Sequence, residues 1–114
     1  MENRWSDTDA QKYVDRYTGQ WGEDLALRTY TARLIGREPS LVLHGGGNTS
    51  VKSTASNLLG ESVRTLFVKA SGFDLAEIEP AGHCGLELEP LLALRSLDQL
   101  TDRKMVALLR RNLL

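Results

Sequence analysis

Leu41-Val42-Leu43-His44-Gly45-Gly46-Gly47-Asn48-Thr49-Ser50-Val51-Lys52 is the stretch on which the reading of this chain turns. An apolar, β-prone run enters three consecutive glycines. Asn, Thr and Ser follow, and a second β-prone run begins. Glycine has no Cβ, so the backbone there can turn sharply and approach a ligand closely. Asn, Thr and Ser add short hydrogen-bonding groups at the same place. The combination suits an anion or a phosphorylated small molecule, and it equally suits a plain polar hairpin. The flanking sequence has to separate the two.

Working outward, residues 48–53 read as a strand leaving the glycines, and 41–44 as a short strand entering them. A polar loop over 55–61, with Asn57 and Gly60, leads to a strand over 62–70 built on Val63, Thr65, Leu66, Phe67 and Val68, all β-formers. That strand delivers the chain to a second small-residue turn, Ala70-Ser71-Gly72. The order strand, turn, strand, loop, strand predicts antiparallel pairing. Upstream, Ser6 or Asp7 can cap a helix over 7–17, with Ala10, Tyr13, Val14 and Tyr17 on one face. A second helix fits 23–37, with Gly36 near its end. Trp5, Tyr13, Tyr17 and Trp21 read as packing residues. Downstream, 73–79 fits a helical turn and 83–88 a strand. Residues 90–97 fit a helix that Pro90 can start, and Thr101 or Asp102 can cap a last helix ending in Asn112-Leu113-Leu114. An apolar finish is unusual for a complete domain, and the expectation is that a larger domain has been cut there.

With 114 residues, 41% hydrophobic and 25% charged, the chain has the size and make-up of one small globular domain. A net charge of −1, from 14 basic and 15 acidic residues, gives no field that would draw it to nucleic acid or an anionic membrane. Neither is expected as a partner. The single cysteine, Cys84, excludes an internal disulfide and fits a reducing compartment. The polar start, Met1-Glu2-Asn3-Arg4-Trp5, is unlike a signal peptide, and the expected location is cytoplasmic.

Familiar glycine motifs do not fit. A P-loop needs GxxxxGK[ST] opening a helix, whereas Val51 and Thr54 favour a strand. The dinucleotide fingerprint fails because Ser50 stands where its third glycine should be. His44-Gly45-Gly46-Gly47 matches the oxyanion motif of lipases and esterases, but the partner GxSxG is absent. His44 and His83 lack paired-ligand spacing, so no metal role is assigned to either. Cys84 reads as a buried or half-buried thiol rather than a nucleophile. Lys52 and Lys69 end strands near the glycine turns and read first as exposed lysines. No pair among Glu77, Glu79, Glu87 and Glu89 is marked as an acid/base couple, and no catalytic residue is assigned. One constellation remains. Gly47-Asn48 and Ser71-Gly72 each sit in a tight turn at a strand end. If those strands pair, backbone N–H groups, the Asn48 amide and the Ser71 hydroxyl converge on one anion.

At these residues the chain resembles the class II aldolase/adducin family, and within it the bifunctional rhamnulose-1-phosphate aldolase/short-chain dehydrogenase proteins. The matching segments are Trp21-Gly22-Glu23-Asp24-Leu25-Ala26-Leu27-Arg28 and Leu43-His44-Gly45-Gly46-Gly47-Asn48-Thr49-Ser50-Val51-Lys52. They continue in Phe67-Val68-Lys69-Ala70-Ser71-Gly72-Phe73-Asp74-Leu75 and Ile78-Glu79-Pro80-Ala81-Gly82. They cover nearly the whole chain in order.

The resemblance implies an α/β chain with an incomplete three-layer α/β/α class II aldolase fold and a mainly antiparallel central sheet. Residues 1–114 would be the N-terminal portion of a class II aldolase/adducin domain. The implied activity is cleavage of a ketose 1-phosphate, here rhamnulose 1-phosphate, to dihydroxyacetone phosphate and L-lactaldehyde. In such enzymes a zinc ion held by histidines stabilises the enediolate. The phosphorylated sugar is the implied substrate partner, and Gly47, Asn48, Ser71 and Gly72 correspond to its phosphate-binding positions. The family's catalytic glutamate and histidine ligands follow the region present here. The chain is therefore expected to hold no cofactor itself, with zinc belonging to the full-length domain, and to be inactive alone. A homo-oligomer is implied for the full-length form. Two alternatives stand beside this: a non-catalytic adducin-like interaction module, and one piece of a split enzyme.

Overall fold

The computed structural model describes residues 3–42, 46–94, 107 and 110–113. Helix α1 spans Asp7–Trp21 and α2 spans Glu23–Gly36. Strands β1 (Ser50–Ser56), β2 (Ser62–Lys69) and β3 (His83–Glu87) follow, and a short helix α3 covers Leu88–Ala93. Two 3₁₀ turns, Leu75–Glu77 and Pro80–Gly82, lie between β2 and β3. No helix among the described residues is long and apolar enough to cross a membrane.

Ser6 caps α1 as its sequence position implies, its hydroxyl accepting from the Asp9 N–H at 3.2 Å. The helix runs past Thr18-Gly19-Gln20, where the sequence predicts its end. The stop is Gly22 instead, at φ 86°, whose N–H donates to the Thr18 carbonyl at 2.9 Å. Gly22 also starts α2, so one glycine both ends the first helix and turns the chain into the second. Tyr30 of α2 packs against Trp5 and Tyr13 with ring centroids 5.1 and 5.0 Å apart. Its hydroxyl accepts from the Ser6 N–H at 2.9 Å, which ties the start of α1 to the middle of α2.

The sheet has the order β1-β2-β3 and is antiparallel throughout, as the sequence predicts. Ser50 pairs with Val68 and Ser56 with Ser62, while Thr65 pairs with Glu87 and Lys69 with His83. This register puts Val51, Ser53, Thr65, Phe67, Lys69 and His83 on one face. Helix α2 lies on that side: the Ser53 hydroxyl donates to Asp24 Oδ2 at 2.6 Å. Thr65 is fully buried there, and its hydroxyl donates to the Val63 carbonyl.

Further boundaries differ from expectation. The strand leaving the glycines begins at Ser50 and runs to Ser56, two residues later than predicted at its start and three at its end. Leu41 and Val42 are not strand, because the Glu38 carbonyl accepts from both of their N–H groups and holds them in a turn. Helix α3 starts at Leu88 rather than Pro90. The rest of the entering strand (43–44), residues 95–97 of the predicted helix over 90–97, and most of the last helix fall outside the described residues. Near the end of the chain, Leu113 bridges Leu86, and the Glu87 N–H donates to the Asn112 carbonyl.

The core that positions the rest joins α2 to the segment after β2. Ala32, Leu75 and Ile78 are each at most 1% exposed, with Val42 packed on them. Arg33 reaches across to donate from Nε to the Ile78 carbonyl at 2.7 Å. Gly36 is read from sequence as a helix stop, but its place has another reason. A Cβ there would lie 2.4 Å from the Ala76 nitrogen and 2.5 Å from the Leu75 carbonyl carbon. Gly36→Ala is therefore expected to cost about 2–4 kcal/mol of unfolding free energy. Gly19→Ala, in open space on α1, is expected to stabilise by about 0.5–1 kcal/mol. Paired urea denaturation curves check both, and equal effects would remove the close-approach argument.

Candidate functional site

The β1–β2 ladder decides whether the two glycine turns meet. It continues past its last strand pair, with the Lys69 N–H donating to the Thr49 carbonyl at 2.9 Å. Asn48 is the next residue out on one side, and Ala70-Ser71-Gly72 follow on the other. The two turns thus open from the same end of the same hairpin, as the sequence argument requires. The Ala70 N–H donates to the Gly82 carbonyl at 2.8 Å, which anchors the second turn to the 3₁₀ segment preceding β3.

Both turns depend on glycine in the left-handed region, at φ 83° for Gly47 and 93° for Gly72. Their surroundings differ. A Cβ on Gly47 would meet Leu75 Cδ2 at 2.9 Å and Val42 Cγ1 at 3.1 Å, whereas one on Gly72 would meet nothing within 4 Å. Gly47 is thus seated on the core through Leu75, and Gly72 stands clear. Asp74 shapes the exit from the second turn, its carboxylate accepting from the Ala76 N–H at 3.2 Å.

Asn48 is oriented by its own backbone. The Thr49 N–H donates to Asn48 Oδ1 at 2.8 Å. With the carbonyl oxygen of the amide engaged, the group left to meet a ligand is the NH₂ donor. Asn48, Ser71 and Gly72 are all exposed, so the cradle is open to solvent. Its local chemistry is donor-rich: one amide NH₂, one hydroxyl and turn N–H groups. Such a set fits an anion.

The other sequence candidates separate cleanly. Lys69 lies on the helix-facing side of the sheet and is half-buried, and Lys52 lies on the opposite side and is exposed. They do not form a pair at the cradle. His83 and Cys84 are successive strand residues and point to opposite faces. Cys84 is exposed, not buried or half-buried as expected, because its face of β3 is less covered there than the helix-facing side. His83 is buried; its Nδ1 lies 3.3 Å from the Pro80 carbonyl, while Nε2 has no partner. Burial pushes its imidazole below the ordinary value, against the raising effect of the Pro80 and Glu79 backbone contacts, with Arg28 lowering it further. Glu89 is exposed and pairs with Arg64 at 2.6 Å. His44 and Gly45 fall outside the described residues. Among the described residues, no three His, Cys, Asp or Glu side chains come together in a way that could hold a metal ion. The residue that sequence reasoning missed is Leu75. It reads as one more apolar residue after a turn, and only the fold shows it beneath Gly47.

Comparison with known proteins bears on the fold. No family model matches the chain. Its structure superposes on the N-terminal class II aldolase domain of a conserved protein from Thermoplasma acidophilum with a TM-score of 0.80 and 37% identity. That match covers 99% of this chain and 47% of the solved one. In sequence the chain is 38% identical over 77 residues to the uncharacterized oxidoreductase YuxG of Bacillus subtilis (strain 168), covering 68% of this chain and 11% of the relative. The chain thus spans about half the length of the solved domain and a small part of the bacterial relative. In structure it resembles a class II aldolase domain, an α/β unit with an antiparallel three-stranded sheet and helices.

Two tests follow from the site. Gly47→Ala carries both a left-handed backbone cost of about 1–2 kcal/mol and the Leu75 clash. It should therefore destabilise more than Gly72→Ala, which carries the backbone cost alone; thermal unfolding of the two variants checks the order. For His83, the folded form disfavours the proton, so the unfolded chain takes it up first as pH falls. The stabilising contribution is complete above the unfolded value of 6.5 and is lost progressively as pH drops below it. Stability measured between neutral and mildly acid pH should show this slope, and His83→Gln should flatten it.

Proposed function

We propose that this chain supplies the phosphate-binding part of a class II aldolase-type domain acting on a ketose 1-phosphate. The observation that carries the reading is the hairpin end: Asn48, its Oδ1 engaged by the Thr49 N–H, shares that end with the glycine turn at Ser71-Gly72. In this role Gly47 and Gly72 let the backbone come close to the phosphate. Asn48 Nδ2 and Ser71 Oγ donate to its oxygens. Holding the phosphate fixes the sugar's C1 end, so the bond to be broken is set at a defined distance from the sheet.

The substrate in this reading is rhamnulose 1-phosphate, cleaved to dihydroxyacetone phosphate and L-lactaldehyde. The described residues do not assemble the zinc site that such chemistry uses, and no step is routed through the metal here. The metal ligands and the base belong to further residues of a domain of which this chain is the N-terminal portion. The complete domain has a three-layer α/β/α architecture and forms a homo-oligomer in the cytoplasm. The solved Thermoplasma domain, about twice as long, supports the reading of a longer domain. The oxidoreductase name of the Bacillus relative supports a dehydrogenase half elsewhere in such proteins. Alone, the 114-residue chain binds phosphate and does not turn over.

Isothermal titration with dihydroxyacetone phosphate tests this. Saturable binding is expected, weakened about tenfold by Asn48→Ala or by Ser71→Ala and unchanged by Lys52→Ala, on the opposite face. Equal binding by all four proteins would remove the cradle. Retro-aldol turnover by the purified chain, with zinc retained through dialysis, would overturn its inactivity.

A further inference from the structure

A second opening lies on the helix-facing side of the sheet and shares no residue with the cradle. The end of α1 and the turn into α2 stand over the sheet there, leaving a cleft of about 520 Å³. Clefts that take small ligands are typically about 300–1,000 Å³. Its lining includes no Asp, Glu, Lys or Arg among the described residues. What it offers is the hydroxyl of Thr18, two aromatic side chains, Trp21 and Phe67, and the imidazole of His83, with Thr54, Ala55 and Ser56 of β1 along its edge.

Two of those residues carry buried polar atoms with no hydrogen-bond partner, His83 Nε2 and Thr18 Oγ1. A buried polar atom left unpaired costs about 1–3 kcal/mol. Both residues border the same cleft, so a cleft occupant is the natural source of the missing partners. His83 is 6% exposed, and its Nδ1 has only a carbonyl beside it. Nδ1 therefore carries the ring proton, and Nε2 is an acceptor looking for a donor. Burial keeps the ring neutral at ordinary pH.

From this lining we infer that the cleft is a binding site for a neutral, polyhydroxylated small molecule, a sugar or polyol without phosphate. Ligand hydroxyls donate to His83 Nε2 and exchange hydrogen bonds with Thr18. Trp21 and Phe67 offer apolar surface to the carbon faces of the same molecule. Arg28 acts on His83 from nearby but does not line the cleft, and no cationic side chain among the described lining residues is placed to pair directly with a phosphate or carboxylate, so a neutral ligand is favoured. The cleft and the cradle thus divide neutral from anionic ligands. This inference stands on the cleft alone and does not rest on the aldolase reading.

Trp5 and Trp21 are the two tryptophans of the chain. In Trp5→Phe, indole fluorescence reports on the cleft alone. That variant is titrated with D-glucose, L-rhamnose and xylitol, and with inorganic phosphate as the anionic comparison, after circular dichroism has shown it folded. A saturable change with at least one neutral ligand and none with phosphate is expected. Adding Thr18→Val should weaken the response about tenfold, and Ala55→Phe, which fills the cleft from β1, should abolish it. No saturable response to any of the three, competition by phosphate, or unchanged affinity in the folded Ala55→Phe protein would each overturn the proposal. Because Thr18 and Ala55 lie outside the cradle, dihydroxyacetone phosphate binding by the same variants stays independent of the result.

Discussion

Leu75 is the contact on which the remainder of this structure depends. It is 1% exposed and packs with Ala32 and Ile78. Two glycines from distant parts of the chain close on its segment: Gly36 from the end of α2 against its carbonyl carbon, and Gly47 from the first turn against its side chain. Neither place has room for a Cβ. A single buried leucine thereby sets both the distance between α2 and the chain after β2 and the seat of the glycine turn. Arg33 of α2 and Arg37 just past its end reinforce the arrangement, donating to the Ile78 and Ala76 carbonyls that follow Leu75. Backbone carbonyls that would otherwise face a helix without partners are satisfied in this way.

The sheet turns this packing into two separate chemical environments. Antiparallel pairing brings Asn48 and Ser71 out at one end of a hairpin, where donors project into solvent. The same alternation buries Thr65 and His83 on the face toward the helices. Polar groups at the open end are met by water when no ligand is present. Those on the covered face are not, and Thr18 Oγ1 and His83 Nε2 remain unpaired. The contrast is one of solvation as well as of residue type, since the covered side adds Trp21, Phe67 and His83 to the hydroxyls and glycines that both places share.

Much of this was legible in the sequence because it is encoded locally. The β-branched and aromatic run from Val63 to Val68, closed by Ala70-Ser71-Gly72, specifies a strand and a turn without reference to anything distant. Ser6 specifies a helix start in the same way. The meeting of the two turns followed from pairing two neighbouring strands. Long-range contacts were not legible. Leu41 and Val42 are as β-prone as their neighbours, yet Glu38 holds them in a turn and Val42 joins the core around Leu75. Gly36 reads as a helix stop, and only the backbone of Leu75 and Ala76 shows why it has to be glycine. The cleft was invisible for the same reason: Trp21 and His83 are 62 positions apart in the numbering of the chain, and alone the first reads as a packing residue and the second as an ordinary hydrogen-bonded histidine.

The two glycine turns also differ in how firmly they are held, and that difference bears on how an anion would be bound. Gly47 is wedged between Leu75 and Val42, so the first turn moves only if the core moves. Asn48 inherits that rigidity, and its amide is fixed a second time by the Thr49 N–H. Gly72 has open space around it, and the Ser71 side chain is exposed. A preformed donor set costs little to organise on binding, whereas a looser one must be ordered by the ligand. Under the proposed function, the Asn48 side of the cradle would set where the anion sits and the Ser71 side would adjust to it. A binding element of this kind holds one end of a substrate firmly through its rigid half while the other half adjusts. In the proposed retro-aldol role, this would keep the phosphate in place while the bond two carbons further along is broken.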